Sequence, residues 1–121
     1  MRRSLQGFTL VLAFLSLSGL ALAQMSPFGL SGFTLDEKDI QIITAKVAPF
    51  YADPPPANGT TVDWDNPESG NHGTATLVNA ESHQGMPCRK IQHEIHVKNV
   101  ATLFTFVNDR CQVANGEWKA L

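Results

Sequence analysis

The stretch Cys88-Arg89-Lys90-Ile91-Gln92-His93-Glu94-Ile95-His96-Val97-Lys98-Asn99-Val100-Ala101-Thr102-Leu103-Phe104-Thr105-Phe106-Val107-Asn108-Asp109-Arg110-Cys111 decides the fold. Cys88 to Lys98 and Ala101 to Arg110 both read as strands, and the two cysteines are equidistant from the Asn99-Val100 centre. A two-residue hairpin folded there sets Cys88 opposite Cys111, Ile95 opposite Phe104 and His93 opposite Phe106. That register gathers Ile91, Ile95, Val97, Phe104 and Phe106 on one face. On the same reading Lys90 faces Asp109, which is favourable, while Arg89 faces Arg110, which is not, so loosening is expected at that end. Val100 is also a poor residue for a primed turn.

Strand and turn signals continue on both sides. Downstream, Asn115-Gly116 folds Glu117 to Leu121 back along Cys111 to Ala114. Upstream lies Trp64-Asp65-Asn66-Pro67-Glu68-Ser69-Gly70-Asn71-His72-Gly73-Thr74, almost pure turn chemistry between the strands Thr61 to Trp64 and Gly73 to Val78. Pro67 suits the second position of a tight turn, and Gly70 or Asn71 the position of positive φ. Glu81 to Pro87 reads as a further loop around Gly85.

Before the strands the period changes. Thr34-Leu35-Asp36-Glu37 matches a capping box, and Ile40, Ile43, Val47 and Phe50 or Tyr51 recur at steps of three and four. Glu37, Asp39, Gln41 and Lys46 fall on the other faces, with Ile42 beside the stripe. This predicts an amphipathic helix over 35–48, ended by Pro49. Asp53 to Gly59 is a proline-rich linker closing on an Asn-Gly turn. Asn58-Gly59-Thr60 also reads as a glycosylation acceptor, with the plain turn preferred. The expected fold is α+β: one N-terminal helix packed on an antiparallel meander of four or five strands over 60–121.

Arg2 and Arg3 followed by the apolar run Phe8 to Ala23, ending Ala21-Leu22-Ala23, predict a secretory signal at 1–23 cleaved before Gln24. The run is shorter than the ~20 residues of a membrane span, so no transmembrane segment is expected after cleavage. Residues 24–33 read as a loose tether carrying Phe28 and Phe33, leaving 34–121 as a single domain. The 98 residues left of 121 carry seven basic and eleven acidic side chains, a formal charge of −4. That balance argues against a nucleic-acid partner, since no basic stripe faces phosphate. In an oxidising compartment Cys88 and Cys111 are expected to pair, and closing this loop stabilises by roughly 3 kcal/mol in the chain-entropy treatment. A C-x-x-C spacing, the mark of a metal or redox pair, is absent.

Candidate chemistry is sparse. His93 and His96 are three apart, and on a strand that odd spacing sends the rings to opposite faces, so they are not joint metal ligands. His72 and His83 lie in loops, the first near Asp63, Asp65 and Glu68, a loose metal or acid/base arrangement set against plain solubility. Asp63 and Asp65 share a strand face, but nothing marks a wall that would separate their pKa values. Ser69 lacks the context of a nucleophile elbow. Trp64 and Trp118 are either an exposed binding pair or core, with core favoured in so small a domain. No cofactor or metal site is expected.

The ordered set Trp64, Asn66, Pro67, Ser69, Gly70, Asn71, Gly73, Thr74, then Cys88-Arg89, Cys111, and Gly116 with Trp118 resembles the C-terminal domain of the bacterial outer-membrane surface-antigen family, the 17 kDa antigen group. The likeness covers about Val62 to Leu121, half the chain. It implies a small exported or envelope-attached protein that is not an enzyme. Members of that family often carry a lipid-modified cysteine and a glycine-rich segment after it. Here the helix stands in their place. A periplasmic or secreted form is therefore expected, with peripheral outer-membrane association as a variant. The resemblance implies contacts with an envelope protein or cell-wall component, and the turn tip Glu68, Ser69, Gly70, Asn71 and His72 is the first candidate contact. The alternative is a small soluble inhibitor that inserts the Asn66–His72 turn into a hydrolase such as a lysozyme or protease.

Overall fold

A computed structural model describes residues 35–120. The signal reading at 1–23, the tether at 24–33 and Thr34 lie outside the described residues. The chain forms a helix α1 (Glu37–Val47), a 3₁₀ turn (Ala48–Tyr51), and strands β1 (Thr61–Asp65), β2 (His72–Asn79), β3 (Ser82–His83), β4 (Met86–His96), β5 (Leu103–Gln112) and β6 (Trp118–Lys119). All pairings are antiparallel, in the order β1-β2-β4-β5-β6, with β3 as a short flap on the start of β4. The α+β reading holds, with one helix on a meander sheet and a Cys88–Cys111 disulfide.

The β4–β5 register is the one read from the cysteines: Cys88 pairs with Cys111, His93 with Phe106 and Ile95 with Phe104. The connection is longer than two residues. β4 ends at His96 and β5 starts at Leu103, so Val97 turns back through a bond from the Val100 N–H at 3.0 Å, with Asn99 at φ +66°. Asparagine tolerates that left-handed conformation and valine does not, which moves the tight turn off Val100. Arg89 does face Arg110, yet the register does not slip, because the two guanidinium groups find different acceptors. β3 was not expected within the Glu81–Pro87 loop. It forms because Gln84 and Gly85 both take positive φ, the geometry of a two-residue primed turn.

α1 begins two residues later than the Thr34 box predicts. Asp36 is the N-cap, its side chain accepting from the Asp39 N–H at 2.9 Å, while Asp39 Oδ2 accepts from the Asp36 N–H at 3.0 Å. The helix gives way at Ala48 to the 3₁₀ turn that contains Pro49, which has no N–H to continue the ladder. Ile43, Val47 and Phe50 are buried against Trp64, Ala75, Leu77, Ile91 and Ile95. Each fully buried side chain of this kind contributes about 1.5–3 kcal/mol, so this stripe fastens helix to sheet. Ile40 is only half-buried, whereas Asp39, expected on a solvent face, is fully buried. The opposite sheet face, carrying Asp63, Asp65, His72 and His96, is exposed.

Candidate functional site: the Asp39 cradle and the Trp64–Thr74 turn

The turn between β1 and β2 closes on itself through Asn66 N–H to Asn71 O at 2.9 Å and Gly70 N–H to Asn66 O at 2.8 Å, with Gly70 at φ +80°. Gly70 therefore takes the left-handed position, where any side chain would also strike Lys98. This backbone shape aims three side chains inward at one carboxylate. Asp39 Oδ1 accepts from Asn66 Nδ2 at 2.8 Å and from Ser69 Oγ at 2.7 Å. Asp39 Oδ2 accepts from Asn71 Nδ2 at 2.8 Å and from the Asp36 N–H. Four donors thus fill the roughly four acceptor sites of an ionised carboxyl group.

Burial alone would raise the Asp39 pKa. The hydrogen bonds from Ser69, Asn66, Asn71 and the Asp36 backbone outweigh it and hold the group below the ordinary carboxylate value. All four donors are uncharged, so among the described residues the charge is held by neutral dipoles. A position in the first helical turn adds the favourable end of the helix dipole. The same side chains also fix the loop. Asn66 Oδ1 accepts from the Glu68 N–H, Ser69 Oγ from the Asn71 N–H, and Asn71 Oδ1 from the Lys98 N–H at 2.9 Å. The turn is thereby tied to α1 on one side and to the β4–β5 connection on the other.

Trp64 and Gly73 support this unit from the core. Trp64 is 3% exposed, which decides its role as core. A Cβ on Gly73 would run into the Glu94 carbonyl and the Trp64 indole nitrogen, so Gly73 is needed for close approach within β2. Pro67, Glu68, Gly70 and His72 are exposed, Ser69 and Thr74 are half-buried, and Asn66 and Asn71 are buried. The candidate contact tip is therefore divided: Ser69 and Asn71 face inward, and Glu68, Gly70 and His72 face outward.

The remaining motif residues gather at the other end of the helix. Arg89 is buried, donating to Phe50 O at 2.7 Å, Cys88 O at 2.8 Å and Ala52 O at 2.9 Å, with its guanidinium 5.0 Å from the Trp118 ring centroid. Trp118 meets Tyr51 edge to face at 5.0 Å. Gly116, at φ +89°, makes the turn that returns Trp118 to this position. Trp118 is half-buried, between the two roles the sequence left open.

The histidines separate as the odd spacing requires. His93 is buried and stacked on Phe106 at 4.9 Å, and its pKa is lowered to about 4 by burial. His96 is exposed and stacked on His72 at 4.7 Å. Asp63, Asp65, His72, Glu94 and His96 share a shallow open depression, while His83 lies on β3 near the disulfide. Among the described residues no group of three or more His, Cys, Asp or Glu is placed to hold a metal ion, and no helix is long and apolar enough to cross a membrane. No family model, curated protein or solved structure matches the chain.

Asp39 and Lys98 are the members of the site that sequence reasoning missed. The available signal was chemical: Asn66, Ser69 and Asn71 are three donors in one turn, and a buried turn of that kind needs an acceptor.

Proposed function

We propose that this chain is an exported, non-enzymatic envelope protein of the surface-antigen type, acting through contacts with an envelope protein or cell-wall component. One observation carries the reading: three side chains of the turn, Asn66, Ser69 and Asn71, point at Asp39, so the turn presents a fixed shape with Glu68 as its outward charge. The Cys88–Cys111 disulfide supports an oxidising compartment. The sequence resemblance places the same residues in a motif. Together these favour a periplasmic or secreted location, with peripheral outer-membrane association as one form of contact.

The test is fractionation of the exported chain, with its new N-terminus read by mass spectrometry. Cosedimentation with purified outer membrane or peptidoglycan is expected, weakened by reversing the exposed Glu68 in E68R. Retention in the leader-bearing form, or no sedimentation with either material, would overturn it. A second reading is favoured by the exposed Pro67-Glu68 edge, held rigid from both sides: a soluble inhibitor that inserts this edge into a hydrolase. Stoichiometric titration of a lysozyme or protease would select it over the first.

A further inference from the structure

A second concave surface lies away from the motif turn. A groove of about 340 Å³ runs between α1 and the β5–β6 corner, with Ile43, Val47 and Tyr51 on one wall and Trp118 and Arg110 on the other. Its lining is predominantly apolar, unlike the carboxylate-lined depression on the exposed sheet face. One cation bears on it without an anionic partner among the described residues. Arg110 donates to Asn108 Oδ1 at 3.0 Å and to Trp118 O at 3.4 Å, both neutral acceptors. Glu117 also lines the groove, but its Oε1 accepts from Asn115 Nδ2 at 2.7 Å, which draws it toward the turn. Burial raises the Tyr51 pKa while the charges of Arg110 and Arg89 pull it down, so both guanidinium groups act on this wall.

We propose that this groove binds a single-chain aliphatic carboxylate, with the chain along Val47, Tyr51 and Trp118 and the carboxylate on Arg110. Charge complementarity selects an anionic head, since a guanidinium with open donors takes a carboxylate in a charge-assisted bond. The apolar wall selects an acyl stem over a peptide. A peptide backbone needs partners along its length, and β6, the strand beside the groove, is two residues long. This binding site is independent of the contact function proposed for the Asn66–His72 turn.

The test uses the protein purified after export and stripped of lipid, with octanoate, decanoate and dodecanoate below their micellar concentrations. Tryptophan fluorescence and amide chemical shifts are the readouts. One-to-one saturation is expected, with affinity rising by up to about fourfold per added methylene. Shifts should centre on Val47, Tyr51 and the Trp118 indole. Dodecanol should bind roughly tenfold more weakly than dodecanoate, the loss of one charge-assisted bond. R110Q should remove that difference and R110K restore part of it. Equal binding of alcohol and carboxylate by the unaltered protein would overturn the proposal, without recourse to any variant. So would shifts centred on the Asp63 face, or contacts from residues 25–33 filling the groove in place of ligand.

Discussion

The two ends of α1 are held by buried charges of opposite sign, and they are held differently. At the N-terminal end Asp39 is surrounded by three side-chain donors and one backbone N–H. At the C-terminal end Arg89 is surrounded by three backbone carbonyls and an aromatic ring. Each sign suits the helix dipole, with an anion at the first turn and a cation just past the last. The difference lies in what the partners demand of the sequence. A carboxylate needs donors at defined positions, and in a turn only particular side chains supply them, so Asn66, Ser69 and Asn71 form a visible motif. A guanidinium takes carbonyls, which every residue has, so the second node leaves only Arg89 and Trp118 as its trace.

That contrast predicts that the anionic node is the more fragile. In D39A the donors of Asn66, Ser69 and Asn71 lose their acceptor inside the protein, and the expected cost is about 3–5 kcal/mol, the range for stranding buried polar partners. D39N should lose nearly as much, because its amide returns one acceptor and adds donors facing donors. Urea midpoints at neutral pH measure both. A D39N protein as stable as the parent would remove the cradle from the account.

The same contrast explains what was legible. The β4–β5 register was readable because two cysteines and an alternating pattern constrain it from within a single stretch, and pairing across strands is a local rule. The turn was readable as a turn from its proline and glycines. Asp39 was not, because hydrophobic periodicity assigns any aspartate to the solvent side. Its burial is set by Asn66, Ser69 and Asn71, which lie 27, 30 and 32 residues further on. The capping box misplaced by two residues has the same origin: Thr34/Glu37 and Asp36/Asp39 are locally alike, and the tertiary partners of Asp39 favour the second. Arg89 opposite Arg110 looked unfavourable because strand pairing considers only the facing strand. Its acceptor Phe50 O lies 39 residues earlier.

His93 is a second buried titratable group, stacked on Phe106. Its pKa falls from 6.5 to about 4 through burial, so it stays neutral in the fold where Asp39 stays charged. Between those values the unfolded chain binds more protons than the folded one, so stability is full above about pH 6.5 and declines as pH falls toward 4. The decline from this group is on the order of 3 kcal/mol over the full window. H93F should flatten that part of the curve while leaving the acid limb due to Asp39. A parent curve flat from pH 7 to about 4.5 would show that His93 accepts a proton in place. R89M comes next, at about 2 kcal/mol, because it frees the buried carbonyls of Phe50 and Cys88 and the part-buried one of Ala52. A cost for R89M above that of D39A would reverse the ranking of the two nodes.

The smallest expected effect is the sharpest probe of how the carboxylate is held. Ser69 Oγ donates to Asp39 Oδ1 at 2.7 Å and accepts from the Asn71 N–H at 3.1 Å, so S69A removes one of four donors while leaving Asn66, Asn71 and the Asp36 backbone in place. The expected loss at neutral pH is about 1–2 kcal/mol. The pH dependence carries more information than the loss itself. A carboxyl group with a lowered folded pKa contributes stability that is present above its unfolded value and lost as pH falls through the folded one. Removing a donor raises the folded value, so the acid limb of S69A should begin at higher pH than that of the parent. Urea midpoints taken from about pH 2 to about pH 5 resolve this. A uniform loss with an unmoved acid limb would mean that Ser69 serves the turn through Asn71 and not the charge on Asp39.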